Sequence, residues 1–144
     1  MNTPLPIWTY NTTDEHVYYV CKVDQRESIT ETSVYFNRTY QDTARTKVTT
    51  ERLEGTFVTG NTSLMYVGDR GLVWEYAETL EFASDDYMCG VFEVRDIPSR
   101  VNWFDLRFQD NRGTGKPHNT CMEYFNKKQR PGHLIYWLDC ETRK

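Results

Sequence analysis

Along Val101-Asn102-Trp103-Phe104-Asp105-Leu106-Arg107-Phe108, strict alternation sets Val101, Trp103, Asp105 and Arg107 on one face, an indole beside a carboxylate and a guanidinium. A second run, from Leu72 to Phe82, sets Leu72, Trp74, Tyr76, Leu80 and Phe82 on one face and Glu75, Thr79 and Glu81 on the other. Aromatic residues make up 15% of the chain, with 4 Trp and 10 Tyr, more than a core of this size needs. Surplus Tyr and Trp suit a pocket that stacks a flat ligand, or a surface that grips another protein.

Catalytic chemistry finds no support. Gly113-Thr114-Gly115-Lys116 is like the end of a phosphate loop, but no Gly stands five residues before Gly115, and Pro117 replaces the needed Ser or Thr. It reads as a hairpin loop. His16, His118 and His133 have no metal-ligand spacing and adjoin no Ser or Cys nucleophile motif. A binding protein is expected, without catalytic residues, metal or cofactor.

The 144 residues suit one domain spanning 1–144, expected as a monomer. The net charge is -4, with Lys and Arg interspersed among Asp and Glu, so no stripe tracks a phosphate backbone and nucleic acid is not an expected partner. No run approaches the 18 or so apolar residues that span a membrane. Met1-Asn2-Thr3-Pro4-Leu5-Pro6 lacks the charged start and apolar stretch of a signal peptide, so the reading is a mature form with a starter Met.

Four cysteines, Cys21, Cys89, Cys121 and Cys140, form an even set without a C-x-x-C pair. Three sequons accompany them, at Asn11, Asn37 and Asn61. Together they imply an oxidising, extracellular setting and a secreted glycoprotein. Four cysteines allow three pairings.

Short runs rich in β-branched and aromatic residues follow one another at 7–10, 17–23, 29–36, 47–53, 63–67, 72–82, 87–94, 101–108 and 133–138. Turn signals separate them, such as Thr59-Gly60-Asn61, Gly68-Asp69-Arg70-Gly71 and Asp110-Asn111-Arg112-Gly113. Residues 120–129 read as the one helix: Thr120 and Glu123 fit a capping box, and Cys121, Met122 and Phe125 share a face. Lys127 and Lys128 suit its negative end, and Pro131-Gly132 stops it.

That element order is the order of a lipocalin, and the chain resembles the salivary lipocalins of ticks, the group that includes the histamine-binding proteins. Three features carry the resemblance, which covers about Val17 to Cys140. They are the cysteine separations of 68, 32 and 19, the block Glu81-Phe82-Ala83-Ser84-Asp85-Asp86-Tyr87-Met88-Cys89, and Asn119-Thr120-Cys121-Met122-Glu123-Tyr124-Phe125. The resemblance implies an all-β fold, an eight-stranded antiparallel barrel with one C-terminal helix and two disulfides, paired Cys21 to Cys140 and Cys89 to Cys121. These lipocalins usually carry more chain before the first strand. Trp8 is therefore open to two readings, a plug for the barrel floor or an ordinary core tryptophan.

In the amine-binding members of the group, a cationic amine sits between buried carboxylates and aromatic faces. One such carboxylate position falls on Asp105; the other falls near Thr46, beside Arg45. Three readings of Asp105 and Arg107 follow: a structural ion pair, an Arg that receives the carboxylate of a lipid mediator, and an amine site using Asp105 with Glu78, Trp74, Tyr66 and Tyr76. Trp103 completes the candidate ligand-binding set. The implied function is a secreted scavenger of a small host mediator, amine or eicosanoid, that suppresses host defence at the bite. The alternative is an inhibitor that binds a host complement protein through surface turns such as Arg95-Asp96-Ile97-Pro98-Ser99-Arg100 and Asn111-Arg112-Gly113. Whether the barrel is hollow or filled separates the two.

Overall fold

The computed structural model describes residues 5–110 and 113–141, so residues 1–4 of the N-terminal segment and residues 111 and 112 of the predicted 110–113 turn lie outside it. Eight antiparallel strands run as a meander: β1 (Ile7–Thr12), β2 (Tyr19–Ile29), β3 (Ser33–Asp42), β4 (Val48–Val58), β5 (Asn61–Asp69), β6 (Trp74–Ala83), β7 (Cys89–Asp96) and β8 (Asn102–Phe108). The sheet closes on itself because β1 pairs with β8 along most of its length and with β2 through Ile7 and Trp8. Closure removes the open edges that a long antiparallel sheet would otherwise expose. Helix α1 (Asn119–Asn126) follows, then a two-residue strand β9 (His133–Leu134) on β1 and a 3₁₀ turn at Leu138–Glu141.

Two apolar clusters hold this arrangement. Inside the barrel, Val34, Phe36, Leu53, Met65 and Val67 pack together, because β3, β4 and β5 alternate their apolar residues inward. Gly55 leaves room there: a Cβ at that position would collide with the Met65 sulfur. The larger cluster lies between the outer barrel wall and the C-terminal segment, joining Trp8, Val91, Leu106 and Phe108 to Cys121, Phe125, Ile135 and Tyr136. Burying each such side chain stabilises the fold by about 1.5–3 kcal/mol. The tail thus packs into the larger of the two clusters.

Two disulfides fasten the tail to the barrel, Cys21–Cys140 and Cys89–Cys121. Trp8 sits edge-on to Tyr136 at 5.4 Å, within the outer cluster. It packs against the tail and does not plug the barrel.

Several expected boundaries shift. The run 29–36 straddles a tight turn, in which Thr30 Oγ1 accepts the Ser33 N–H at 3.0 Å, so Ile29 ends one strand and Ser33 begins the next. Of 133–138 only His133–Leu134 is strand, since the chain must then bend inward to bring Cys140 to Cys21. The predicted capping box is not formed. The helix starts at Asn119 after His118, with no side-chain cap, and His118 Nε2 instead meets Asp86 at 3.0 Å across the β6–β7 turn. Helical residues end at Asn126, leaving Lys127 as the C-cap and Lys128 outside, where its ammonium pairs with Glu81 over the Phe104 ring.

Candidate functional site

Two bulges decide which side chains enter the barrel. In β2, Val20 stands opposite Gln41 but Val23 stands opposite Thr39, so β2 carries one extra residue there. Cys21 absorbs it in the left-handed region, at φ 52°. Val20, Cys21 and Val23 consequently all join the outer cluster, while Lys22, and Tyr19 which also touches that cluster, reach a cavity inside the barrel and Asp24 meets the interior Arg38. In β6, Tyr76 opposes Val67 and Trp74 opposes Gly68, which again leaves one extra residue between. Tyr76 points in; Trp74 turns out and stacks on Tyr66, with ring centroids 4.5 Å apart and planes 8° from parallel.

Across the middle of the barrel runs a belt of five buried charges. Arg38 donates to both oxygens of Asp24, at 2.8 and 2.9 Å, and its Nη2 lies 3.1 Å from Glu78 Oε2. Arg107 donates from Nη1 to Glu78 Oε1 at 2.6 Å and from Nη2 to Asp105 Oδ2 at 2.9 Å. The Arg107 guanidinium also lies over the Phe92 ring, 4.5 Å from its centroid. Burial alone would raise the Glu78 pKa, but the Arg107 and Arg38 charges outweigh it and hold Glu78 well below the usual carboxylate range. Asp105 Oδ1 is buried without a hydrogen-bond partner among the described residues.

The belt divides the interior. On one side lies a cavity of about 440 Å³ open at the barrel mouth, walled by Tyr18, Tyr19, Tyr40, Tyr76 and Trp103, with Lys22 and Arg38 also on its lining. On the other lies a more apolar cavity of about 450 Å³, lined by Ile7, Leu80, Phe92 and Phe108 together with Arg107. The two share no lining residue. Along β6, Glu78 separates Tyr76 from Leu80; along β8, Asp105 separates Trp103 from Arg107. The barrel is therefore hollow at both ends and filled in the middle. Either cavity falls within the range of small-ligand pockets.

Glu51 gives the mouth cavity its particular chemistry. It alternates with the buried Leu53 on β4 and stands opposite Arg38 on β3, so it faces inward. Arg38 is occupied by Asp24 and Glu78, and Glu51 makes no hydrogen bond or ion pair among the described residues. Nearby, burial and then the Glu51 carboxylate push the Tyr40 phenol up and the Tyr76 phenol to about 12. Both stay neutral donors at ordinary pH. Trp103 adds a buried Nε1 donor without a partner among the described residues.

Of the residues chosen from sequence, Tyr76 and Trp103 line the mouth cavity, while Glu78, Asp105 and Arg107 belong to the belt. Tyr66 and Trp74 lie together on the outer face, away from both cavities. The Asp105–Arg107 contact takes the form of the structural ion pair. Arg45 lies in the β3–β4 turn and pairs with Asp139 at 3.0 Å. Glu51, Tyr40, Arg38 and Lys22 were not anticipated. The first three were open to the same alternation that found Trp103, through Val34-Phe36-Arg38-Tyr40 and Glu51-Leu53. The 95–100 turn joins β7 to β8, and Asp96 and Ser99 form part of the cavity wall.

No family model matches the chain, and no curated protein matches it in sequence. Solved structures do match. The crystal structure of an AM182 serotonin complex is similar at TM-score 0.66 and 19% identity, over 96% of this chain and 88% of that one. Japanin from Rhipicephalus appendiculatus, bound to cholesterol, is similar at TM-score 0.70 and 10% identity, over 93% of each chain. The siderocalin Ex-FABP is similar at TM-score 0.65 and 7% identity, over 92% of this chain and 89% of that one. With eight antiparallel strands, one helix and two disulfides, the chain has the lipocalin fold.

Proposed function

We propose that the protein is a secreted lipocalin that sequesters a small cationic aromatic amine in its mouth cavity. One observation carries the reading: an inward carboxylate, Glu51, with no hydrogen-bond or ion-pair partner among the described residues, in a cavity walled by Tyr40, Tyr76 and Trp103. A carboxylate among ring faces is the environment that stabilises an ammonium, by charge pairing and by cation–π attraction. An eicosanoid carboxylate is less well served, because both interior guanidiniums are already committed to Asp24, Glu78 and Asp105, and the wall lysine, Lys22, has its ammonium disfavoured by burial and by Arg38. The serotonin held by one structural neighbour belongs to the amine class. On the resemblance to tick salivary lipocalins, the amine is a host mediator released at the bite, and its removal blunts host defence. The two disulfides suit secretion.

Calorimetry with serotonin, histamine and an eicosanoid tests the reading. One-to-one binding of an amine is expected, and Glu51→Gln should weaken it about ten- to hundredfold, the worth of a charge-assisted hydrogen bond at 1.5–3 kcal/mol. Silence across the amines would overturn it.

The sequons divide by placement, and we propose Asn61 as the occupied one. Asn61 is exposed at the start of β5, directly after the Gly60 turn. Asn11 lies within β1 with its Oδ1 buried against Gly132, where no room exists even for a Cβ. Asn37 lies mid-strand and donates to Glu27. Expression through a secretory pathway, followed by peptide mass analysis, should find glycan at Asn61 and none at Asn11; an occupied Asn11 in folded protein contradicts this placement.

A further inference from the structure

Lys22 plays no part in the amine reading, and its surroundings suit a different chemistry. The residue is 8% exposed, lies on the mouth-cavity wall, and holds its Nζ 4.9 Å from the Tyr19 ring centroid. It makes no ion pair or hydrogen bond among the described residues. The charged groups acting on it are Asp24 of its own strand, Arg38 of β3, and Asp105 and Arg107 of β8, with Glu78 of β6 feeling its charge in turn. Burial, and then Arg38, lower the pKa of its ammonium, which raises the share of neutral amine. A desolvated lysine beside another cation is the setting in which an amine becomes a nucleophile toward carbonyl carbon.

We propose that Lys22 captures small aromatic aldehydes as a Schiff base inside the mouth cavity. The amine lone pair adds to the aldehyde carbon, and the nitrogen's proton passes to the carbonyl oxygen. The carbinolamine's remaining N–H proton then reaches the hydroxyl, which leaves as water as the C–O bond breaks and the nitrogen lone pair forms the C=N bond. No oxidant or reductant is needed. The ring of the aldehyde finds Tyr40, Tyr76 and Trp103 as neighbours.

The test is reductive trapping of the full, disulfide-bonded protein with benzaldehyde and cyanoborohydride near pH 7, followed by peptide mapping. Lys22 should be alkylated about tenfold or more faster than the exposed Lys47, Lys116 and Lys127, because only neutral amine attacks. Lys22→Arg, or Lys22→Met where arginine does not fit, should abolish the fast adduct and leave surface labelling unchanged. Even labelling of the surface lysines with Lys22 untouched, or a fast adduct that survives both substitutions, overturns the proposal. Trapping needs no amine affinity: a protein labelled at Lys22 that ignores serotonin refutes only the amine reading. One that binds serotonin and leaves Lys22 unlabelled refutes only this one.

Discussion

Arg107→Met is expected to destabilise the barrel by about 3–5 kcal/mol, the cost of breaking a buried ion pair from one side. Methionine preserves most of the volume, so the loss reads out charge. Arg107 is the hub of the belt: without it, Glu78 Oε1 and Asp105 Oδ2 lose their donors while both side chains stay buried. Urea denaturation at pH 7 should show the midpoint fall. Adding Glu78→Gln and Asp105→Asn to the same variant should restore much of the loss, since neutral amides do not demand a counter-charge. Wild-type stability unchanged by Arg107→Met would mean that the belt is hydrated and electrostatically idle.

The same belt fixes the direction of the pH response. Glu78 has a folded pKa below its unfolded one, so it binds fewer protons in the native state and its stabilisation is fully present above about pH 5. That contribution is withdrawn as pH falls through the ordinary carboxylate range toward the lowered folded value. Denaturation midpoints measured downward from pH 6 should therefore drop in the wild type and drop less in Glu78→Gln.

Cys21→Ser with Cys140→Ser should cost about 5 kcal/mol, the chain-entropy value for so long a loop, against about 4 kcal/mol for the Cys89 and Cys121 pair. The larger effect has a packing reason too. Ile135 and Tyr136 lie just before Cys140 and fill the outer cluster against Trp8 and Phe108, and the Cys21 N–H donates to the Ile135 carbonyl at 2.7 Å. Releasing the tail exposes that face. Thermal unfolding of the two double variants compares them directly; near-equal stability to wild type would show that packing alone secures the tail.

The barrel was legible because most strands keep a strict two-residue period, as 101–108 does from Trp103 to Arg107. The disulfide pairing was not in the spacing itself and came with the family likeness. What local pattern could not show was the place where the period breaks. Counting by twos along 17–23 puts Tyr19, Cys21 and Val23 on one face and Lys22 on the other. The left-handed Cys21 instead keeps Val20, Cys21 and Val23 outside and sends Tyr19 and Lys22 in together. A bulge costs one residue and leaves no compositional mark here, since Cys21 is neither Gly nor Asn. The β6 bulge misled in the same way: it ejects Trp74, which simple alternation groups with Tyr76. Glu51 was missed for a different reason. Thr49, Thr50 and Arg52 flank it, and only its two-residue offset from Leu53 marks it as inward.

The belt also acts as a length gauge. From Val101 at the rim to Asp105 is four residues of strand, about 13 Å at the usual rise and nearer 10 Å along the axis of a barrel with strands tilted about 40°. A guest that enters by the mouth meets salt-bridged side chains at that depth. A single or fused two-ring amine ends before it reaches them, whereas a four-ring sterol lying along the axis would have to part Arg38 from Glu78. On the amine reading, the charges that hold the strands together would thus also select guests by reach, before any single contact is made.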